Sequence, residues 1–408
     1  MSLSGVEVII PTDMQKQQER ENGMDARQQI LDEAVSGGDV PFVVAMQGNA
    51  GGVTWSGASG EAAPGMSAAT DTVYRIFSMT KAVGSTAAMM LVDRGKIGMD
   101  DPVDMYLPEM AASLRVLEGW DGDSPRYRRP NEMPTLRQLA THTSGLVYEF
   151  WNAEIGEWMQ RTGHPTVISG LDASLNYAMA FDPGERWDYG LGIDWLGKVV
   201  EAVDGRRIDI FLKEELFDPL GMSDTACEVE EHMAPRLAAV KARGEDGMFG
   251  DFELAPPPNP EFYGMGHALY STPADYLTFI RLFLNKGTMN GHKILSEDAV
   301  DKMLANSIGD LRIGEMKTLA PPMSADVHLF PGIPVTHSFG FVRVEKDVPG
   351  MRSAGAQGWA GVLNSHYWFD PAKDAAAVIM TQSLPFAEPR FMATYEAYEK
   401  AVYAELAV

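Results

Sequence analysis

The residues best suited to catalysis lie in one short stretch of the chain. Ser78 and Lys81 form an S-x-x-K pair at the start of a segment rich in Ala and Met. Apolar residues recur there at three- and four-residue spacings, which predicts a helix from Ser78 to Gly95. A serine at a helix N-terminus lies beside free backbone N–H groups, which favour an oxyanion, and an amine one turn later can accept its proton. The pair therefore predicts a serine nucleophile activated by lysine.

Both residues also have ordinary structural roles that fit the sequence. An S-x-x-K spacing arises about once by chance in a chain of this length. Ser78 is a good N-cap for the predicted helix, and a lysine is common on the solvated face of a helix. The setting favours chemistry, because Lys81 is the only cation between Phe77 and Val92. The predicted helix is also apolar on most sides, so a lysine inside it needs a chemical reason.

Strand patterns occur at both ends of the chain and helix patterns in the middle. The N-terminal part predicts a helix over residues 25–36, a hairpin over 41–57 and a strand over 73–77. The C-terminal part predicts strands over residues 338–346, 361–369 and 375–382 and a helix over 389–406. The helices predicted between them are 136–142, 154–161, 171–180, 193–203, 209–217, 272–286 and 296–305, with loops over 121–134, 244–266 and 318–336.

This order of elements predicts an α+β fold. One sheet, flanked by helices, is built from both ends of the chain, and an all-helical lobe is inserted into it. The 408 residues are enough for two such lobes. We expect the α/β lobe to comprise residues 1–96 and 236–408, and the helical lobe to comprise residues 97–235.

The composition restricts the partners and the location of the protein. A net charge of −24 argues against a nucleic acid or an anionic membrane as partner, and no apolar run approaches the ~18 residues of a membrane span. Cys227 is the only cysteine and no secretory signal is recognisable, so we expect a cytoplasmic protein. The histidines show no H-x-x-x-H spacing, and neither a metal nor another cofactor is implied. The composition indicates no oligomeric state.

Seven segments of the chain form a recognisable set. They are FSMTK at 77–81, LVDRGKIGMDDPV at 91–103, TLRQLATHTSGL at 135–146, FDPGERWDY at 181–189, PLGMSDT at 219–225, GHALYSTPADY at 266–276 and NGHKILS at 290–296. Together they resemble the serine β-lactamase-related superfamily, which includes class C β-lactamases, D-alanyl-D-alanine peptidases and family VIII carboxylesterases. The resemblance implies a β-lactamase/transpeptidase-like fold, with the active site in the cleft between an α/β lobe and a helical lobe.

The resemblance also implies roles for three side chains. Ser78 is similar to the family's acylated nucleophile, Lys81 to its proton partner, and Tyr189 to the tyrosine of the Tyr-x-Asn motif, a general base and acid. The asparagine of that motif is replaced by Leu191. The third motif, Lys-Thr-Gly in lactamases and peptidases, corresponds best to Trp-Ala-Gly at residues 359–361.

Both departures change what the site can recognise. Leu191 and Trp359 cannot supply the amide and the cation that hold an amide carbonyl and a carboxylate in lactamases and peptidases. The cleft gains apolar surface, which favours an uncharged ester or acyl thioester. Trp-x-Gly also resembles the third motif of family VIII carboxylesterases and related acyltransferases. The leading prediction is a serine carboxylesterase that acts on a small-molecule ester or acyl substrate.

The remaining site residues are expected near these motifs. The backbone N–H groups of Ser78 and Val362 are predicted to bind the oxyanion. An aromatic side chain at position 359 fits an ordinary core position as well as a pocket wall. Aromatic residues at positions 148 and 150 fit the mouth of the pocket, and they fit packing within the helical lobe at least as well. The residues predicted to contact substrate are Trp359, Gly361, Leu191, Tyr148 and Phe150.

Three alternatives to an esterase remain open. An acyltransferase uses the same acyl-enzyme and passes the acyl group to an alcohol or amine, and the sequence does not separate it from a hydrolase. A principal role as β-lactamase or D-alanyl-D-alanine peptidase is disfavoured by the lost polar contacts. A non-catalytic ligand-binding relative is disfavoured because Ser78, Lys81 and Tyr189 are all intact.

Overall fold

An eight-stranded antiparallel sheet forms the centre of the fold in the computed structural model, which describes residues 25–407. From one edge to the other, its strands are β12 (Val335–His337), β13 (Val342–Val344), β14 (Gln357–Gly361), β15 (Ser365–Asp370), β16 (Ala375–Met380), β1 (Phe42–Asn49), β2 (Gly52–Ala63) and β3 (Met66–Ser67). Because β1 pairs with β16, the two ends of the chain meet inside the sheet. The predicted α+β fold, with one sheet built from both ends of the chain, is confirmed.

Shorter strands pair outside the large sheet. They are β4 (Tyr74–Arg75) with β9 (Tyr270–Ser271), β5 (Val116–Asp121) with β6 (Ser124–Arg128), β7 (Lys241–Arg243) with β8 (Phe249–Asp251) and β17 (Ser383–Leu384), and β10 (Thr288–Met289) with β11 (His292–Lys293). The pairing of β4 with β9 lies directly before Ser78 and fixes the direction in which the chain enters the site.

The helices cover both faces of the sheet and fill the middle of the chain. They are α1 (Ala26–Ser36), α2 (Thr80–Asp93), α3 (Pro108–Ala111), α4 (Leu136–Ala140), α5 (Ala153–Thr162), α6 (Gly192–Asp204), α7 (Ile208–Leu212), α8 (Asp218–Leu220), α9 (Pro273–Leu284), α10 (Glu297–Leu304) and α11 (Pro389–Leu406). A π-helical turn, Lys213–Phe217, joins α7 to α8. No helix among residues 25–407 has the length and apolarity that a membrane span requires.

Residues on the central strands alternate between two cores. Val43 and Ala45 of β1 pack with residues of α1 and α11, whereas Val44 and Met46 pack into the main core with α9 and α2. Both faces of β1 and β16 are therefore removed from water, which is why these strands have nearly continuous apolar sequences. The strands that border the site therefore belong to a sheet whose central strands, β1 and β16, are covered on both faces.

Helix α2 runs through the main core and carries Lys81 into it. Every residue from Thr80 to Leu91 is buried. The side chain of Met265 is held between α2 and α6, because a Cβ would lie 2.6 Å from it at Gly84 and 2.7 Å from it at Gly197. Gly84 and Gly197 thus let the Met265 side chain pack between the two helices, and this contact fixes the loop that places Gly266 beside Lys81.

Several element predictions are wrong in instructive ways. Residues 171–180 do not form a helix, because the backbone N–H groups of Met179 and Ala180 donate to Arg115 and Gly145 instead. The loop predicted over 121–134 contains strand β6. The strand predicted over 338–346 is interrupted at Gly340, which has a φ of +103°. The division of the chain into lobes at residues 96/97 and 235/236 stays a prediction.

Candidate active site

Ser78 lies in a tight turn directly before α2. The turn, Phe77–Met79, follows β4, and Phe77 has a left-handed backbone with a φ of +40°. Such a conformation costs a bulky residue about 1–3 kcal/mol, and the buried Phe77 ring is held by Val240, Leu363 and Leu384. The turn exposes the Ser78 hydroxyl to a cavity while its backbone N–H stays at the helix N-terminus. The predicted helix begins two residues later than Ser78.

Lys81 reaches Ser78 from the first turn of α2. Its Nζ is 3.2 Å from Ser78 Oγ, 3.0 Å from Tyr148 OH and 2.9 Å from the backbone oxygen of Gly266. The side chain is only 2% exposed. Nζ also lies 4.8 Å from the centre of the Tyr189 ring. The amine is therefore enclosed by neutral oxygens and aromatic rings, and among the described residues it forms no salt bridge.

Tyr148 lies deeper than the predicted mouth of the pocket. Its ring is buried, its hydroxyl accepts from Lys81, and it stacks on Phe150 at 4.9 Å. Burial, with the Asp194 carboxylate nearby, raises the pKa of Tyr148 well above its usual value. The phenol is therefore neutral at physiological pH and positions the lysine amine. Phe150 does line the cavity, half-buried beside Tyr148.

Tyr189 and Trp359 meet across the site. The Trp359 Nε1–H donates to Tyr189 OH at 3.1 Å, and the two ring centres are 5.1 Å apart. This hydrogen bond fixes the position of the Tyr189 hydroxyl. The backbone oxygen of Tyr189 accepts from Tyr148 N at 3.0 Å, which holds the motif against the helical elements. His142 has a structural position here, since its Nδ1 accepts from Gly190 N at 3.3 Å.

The end of β14 contacts the Ser78 turn through a glycine. A Cβ on Gly361 would lie 2.3 Å from the backbone oxygen of Ile76, so the strand can approach this closely only without a side chain there. Val362 follows the last paired residue of β14 and lies on the cavity wall with Ser78. Ser78 and Val362 therefore both line this cavity, and binding of the oxyanion by their N–H groups stays a prediction.

The cavity at Ser78, called here the Ser78 cavity, has a volume of about 170 Å³. Its apolar wall includes Phe150, Trp151, Ile168, Met316, Met323 and Trp359. Two residues predicted to contact substrate do not line it. Leu191 is fully buried in the core at the start of α6, and Gly361 is turned against the backbone carbonyl of Ile76. No cluster of three metal-binding side chains occurs within residues 25–407.

A buried carboxyl and a buried imidazole lie behind Lys81. Asp194 Oδ1 accepts from Gly266 N at 2.8 Å, and its Oδ2 has no hydrogen-bond partner among the described residues. His267 lines the Ser78 cavity, with its Nδ1 3.7 Å from Asp194 Oδ1. Burial raises the pKa of Asp194 to about 6, with Lys81 opposing the shift, and burial lowers the pKa of His267 to about 3.

No sequence motif marks this pair, although Asp194 leaves a signal in the sequence. Asp194 interrupts an apolar helical segment, Ile193–Leu196, where a charge is unusual. Two glycines of the G-M-G-H segment at 264–267 make room for it: a Cβ on Gly266 would lie 2.6 Å from Asp194 Oδ2, and one on Gly264 would lie 2.2 Å from the His267 ring. The contacts between these distant segments are set by the fold, so no local pattern predicts them.

The fold and the site now identify the class of protein. The profile of the Beta-lactamase family matches residues 27–401. The chain therefore belongs to the Beta-lactamase family, and the resemblance to the serine β-lactamase-related superfamily is confirmed. It is a member of a family of serine hydrolases and acyltransferases that share this fold.

Individual relatives are esterases and acyltransferases by name. Lovastatin esterase of Penicillium rubens is 28% identical over 326 residues, which cover 77% of this chain and 80% of the relative. Monacolin J acid methylbutanoyltransferase of Aspergillus terreus is 28% identical over 351 residues, which cover 82% and 83%. The structure of a simvastatin synthase mutant from Aspergillus terreus matches with a TM-score of 0.80 at 25% identity, covering 94% of this chain and 99% of that one.

Proposed function

We propose that this protein cleaves carboxylic esters through an acyl-enzyme on Ser78, with Lys81 and Tyr189 as general base and acid. The observation that carries the proposal is the 3.2 Å separation of Ser78 Oγ and Lys81 Nζ inside a largely apolar cavity. An amine surrounded by neutral oxygens and aromatic rings is well placed to take the hydroxyl proton.

The first half-reaction forms the acyl-enzyme. Ser78 Oγ attacks the ester carbonyl carbon, its proton passes to Lys81 Nζ, and the carbonyl oxygen becomes an oxyanion that accepts from the N–H groups of Ser78 and Val362. When the tetrahedral intermediate collapses, the bond to the alcohol oxygen breaks and that oxygen takes a proton from Tyr189 OH. The proton on Lys81 then returns to Tyr189, whose ring centre lies 4.8 Å from Nζ.

The second half-reaction releases the acid. A water molecule attacks the acyl carbon and gives its proton to the Tyr189–Lys81 pair, and collapse returns a proton to Ser78 Oγ. Trp359 assists by donating to the Tyr189 oxygen, which holds the hydroxyl in place. Tyr148 and the Gly266 carbonyl hold the amine in position through both steps.

The walls of the cavity support an uncharged ester as substrate. Trp359 lies on the wall where lactamases and peptidases carry a cation, and it cannot bind a carboxylate. Leu191, at the position of their amide, is buried in the core and offers the substrate no polar group. The similarity to a lovastatin esterase supports the same choice. A chromogenic cephalosporin is therefore expected to be turned over negligibly.

Acyl transfer is a second candidate that a specific observation favours. The Ser78 cavity is walled mostly by apolar and aromatic side chains, which disfavour ordered water and favour an alcohol that brings its own apolar surface. The similarity to a methylbutanoyltransferase supports it as well. Reaction in the presence of 1-butanol should then yield butyl esters; unchanged hydrolysis with no new ester would remove this candidate.

The test of the nucleophile compares two serines that lie seven residues apart in the sequence. Ser78→Ala should lower kcat/KM for p-nitrophenyl butyrate at least about a thousandfold. Ser85→Ala, a matched change at a buried serine of α2, should stay within about threefold. A fluorophosphonate probe should give an adduct that mass spectrometry maps to Ser78. If Ser78→Ala keeps more than about one per cent of the activity, the assignment is wrong.

A further inference from the structure

A second, larger cavity lies next to the Ser78 cavity. We call it the second cavity; its volume is about 570 Å³, and its walls come from loop residues 326–333 and 348–352, strands β14 and β15, and helix α11. Trp359, Ala360 and Phe386 line both cavities. The two spaces therefore share a common wall that borders the proposed acid, Tyr189.

The volumes of the two cavities indicate that they accommodate different parts of a substrate. Pockets that enclose drug-sized ligands have volumes of roughly 300–1,000 Å³. At about 170 Å³ the Ser78 cavity is too small for such a ligand, whereas the second cavity, at about 570 Å³, falls inside this range. A large ester can be enclosed only if one of its two parts occupies the second cavity.

Phe386, one of the three residues that line both cavities, is attached to a segment, called here the roof, that covers both of them. Residues 316–324 of the roof face the Ser78 cavity and residues 326–333 face the second cavity. Phe386 is fixed to this roof by its backbone, because its N–H donates to Met323 O at 2.9 Å and its oxygen accepts from Ala325 N at 2.8 Å. Its ring stacks on His366, with 5.7 Å between ring centres. A ligand that spans both spaces must displace part of the wall formed by Trp359, Ala360 and Phe386.

The chemistry of the second cavity favours an uncharged ligand. Burial lowers the pKa of His366 to about 3, so its ring is neutral, and its Nε2 has no hydrogen-bond partner among residues 25–407. Much of the wall is apolar, and its principal charges are compensated. The ion pairs are Arg352 with Glu399, Asp326 with Lys317, and Glu396 with Lys400. The apolar wall residues include Phe330, Ile333, Val348, Met351 and Met392.

We propose that the second cavity binds the alcohol portion of the substrate, a bulky, uncharged and largely apolar alcohol, while a short acyl group occupies the Ser78 cavity. This inference rests on the proposed function, in which Tyr189 protonates the departing alcohol oxygen. That oxygen must therefore lie at Tyr189, whose hydroxyl accepts from Trp359. Trp359 borders the second cavity, so the alcohol extends from the acid towards that space. In acyl transfer, the acceptor alcohol occupies the same place.

The test uses substitutions that fill the second cavity from two of its walls. Ile333→Trp changes the roof loop and Met392→Trp changes α11; both residues are half-buried, line the second cavity and lie outside the Ser78 cavity. Both variants should lower kcat/KM for octyl butyrate at least about tenfold. Methyl butyrate, with the same acyl group, and methyl decanoate, with the length on the acyl side, should stay within about twofold. Lys346→Trp, on an exposed loop position between β13 and β14, is the matched control.

A binding measurement separates this inference from the proposed function. Calorimetric titration of the Ser78→Ala protein with 1-octanol needs no turnover, and each filling substitution should weaken the affinity at least about fivefold. If no ester is cleaved by the wild type, the proposed function fails and the octanol titration alone decides the cavity. Variants with the wild-type melting temperature that keep both octyl butyrate turnover and octanol affinity would overturn the inference, as would an equal loss on methyl decanoate.

Discussion

At the scale of single residues, Asp194 shows what the site demands of the fold. Its carboxyl is only 1% exposed, has one hydrogen bond from Gly266 N and leaves Oδ2 unpaired among the described residues. Burying a charge with so few partners is unfavourable, and the pKa of about 6 expresses that cost. The benefit is positional, because Asp194 fixes the N–H of Gly266, whose carbonyl oxygen accepts from Lys81 Nζ.

Asp194→Asn should separate activity from stability. The folded-state pKa of Asp194, about 6, lies above the value of 3.8 for an ordinary aspartate, so the charged form destabilises the fold above about pH 6 and not below about pH 4. The neutral amide should therefore raise the unfolding free energy by about 1–3 kcal/mol at pH 8 and change it little at pH 4. It should lower kcat/KM about tenfold or more, because the amide no longer fixes the Gly266 peptide in the same way. Urea titrations at both pH values and ester kinetics measure the two effects.

The control for this prediction is an aspartate whose carboxylate is exposed to solvent. Asp301→Asn, on the exposed side of α10, should leave both quantities unchanged. A loss of stability for Asp194→Asn at pH 8 would show that the carboxylate stabilises the fold and that its position has no cost.

At the scale of elements, the contact between β14 and the Ser78 turn governs the site. Gly361 allows the strand to approach the Ile76 carbonyl, and this approach carries Val362 to the cavity wall beside Ser78. The strand is in turn fixed by five paired residues on β15. The donors proposed for the oxyanion thus depend on the closeness of two elements that are far apart in the chain.

Gly361→Ala should disable catalysis while the fold persists. The new methyl carbon would lie 2.3 Å from Ile76 O, so strand and turn must separate, at a cost of about 1–3 kcal/mol. We expect kcat/KM for a short ester to fall at least about a hundredfold with an unchanged circular dichroism spectrum. Gly250→Ala, in β8 with no atom within 4 Å of the new carbon, is the matched control. Near-normal activity of Gly361→Ala would separate the oxyanion site from this contact.

Elements with strong local signals are predicted well from the sequence. Helix α11 begins at Pro389 and α10 is capped by Ser296, as their sequences indicate. Turns that depend on one left-handed residue are not predicted: Asn364, with a φ of +58°, ends the turn that separates β14 from β15 inside an apolar run. In the site, the Ser78–Lys81 proximity is local and follows from helical spacing. The partners of Lys81 on other segments, Tyr148 and the Gly266 peptide, follow only from the fold.

At the scale of the whole molecule, buried histidines set the response to acid. Within residues 25–407 four histidines are buried, and burial lowers the pKa of each below the ordinary value of 6.5. The pKa falls to about 3 for His267 and His366 and to about 4 for His337. Below about pH 6.5 the unfolded chain therefore binds protons that the folded chain does not, and each group lowers the unfolding free energy by about 1.4 kcal/mol per pH unit. The four histidines are His142, His267, His337 and His366.

The melting temperature should thus be nearly constant between about pH 7 and 8 and fall as the pH decreases below about 6.5. Asp194 and Asp275, each with a pKa raised to about 6 by burial, hold protons in the folded state and offset part of the loss between pH 6 and 4. His366→Gln should reduce the number of protons taken up on unfolding by about one, so the melting temperature should fall less steeply with decreasing pH. The same change at the exposed His292 serves as control. A melting temperature independent of pH between 7 and 5 would contradict the assignment.

The pairing of β1 with β16 bears on how the protein is made. As the ribosome extends the chain, Ser78 and Lys81 emerge long before β14, β15 and β16, yet the central strand β1 has no partner on one side until β16 follows. Pairings between such distant segments form slowly and late. A nascent chain therefore carries its serine and lysine without the Val362 amide, and the complete reaction centre comes into being only once translation is nearly over.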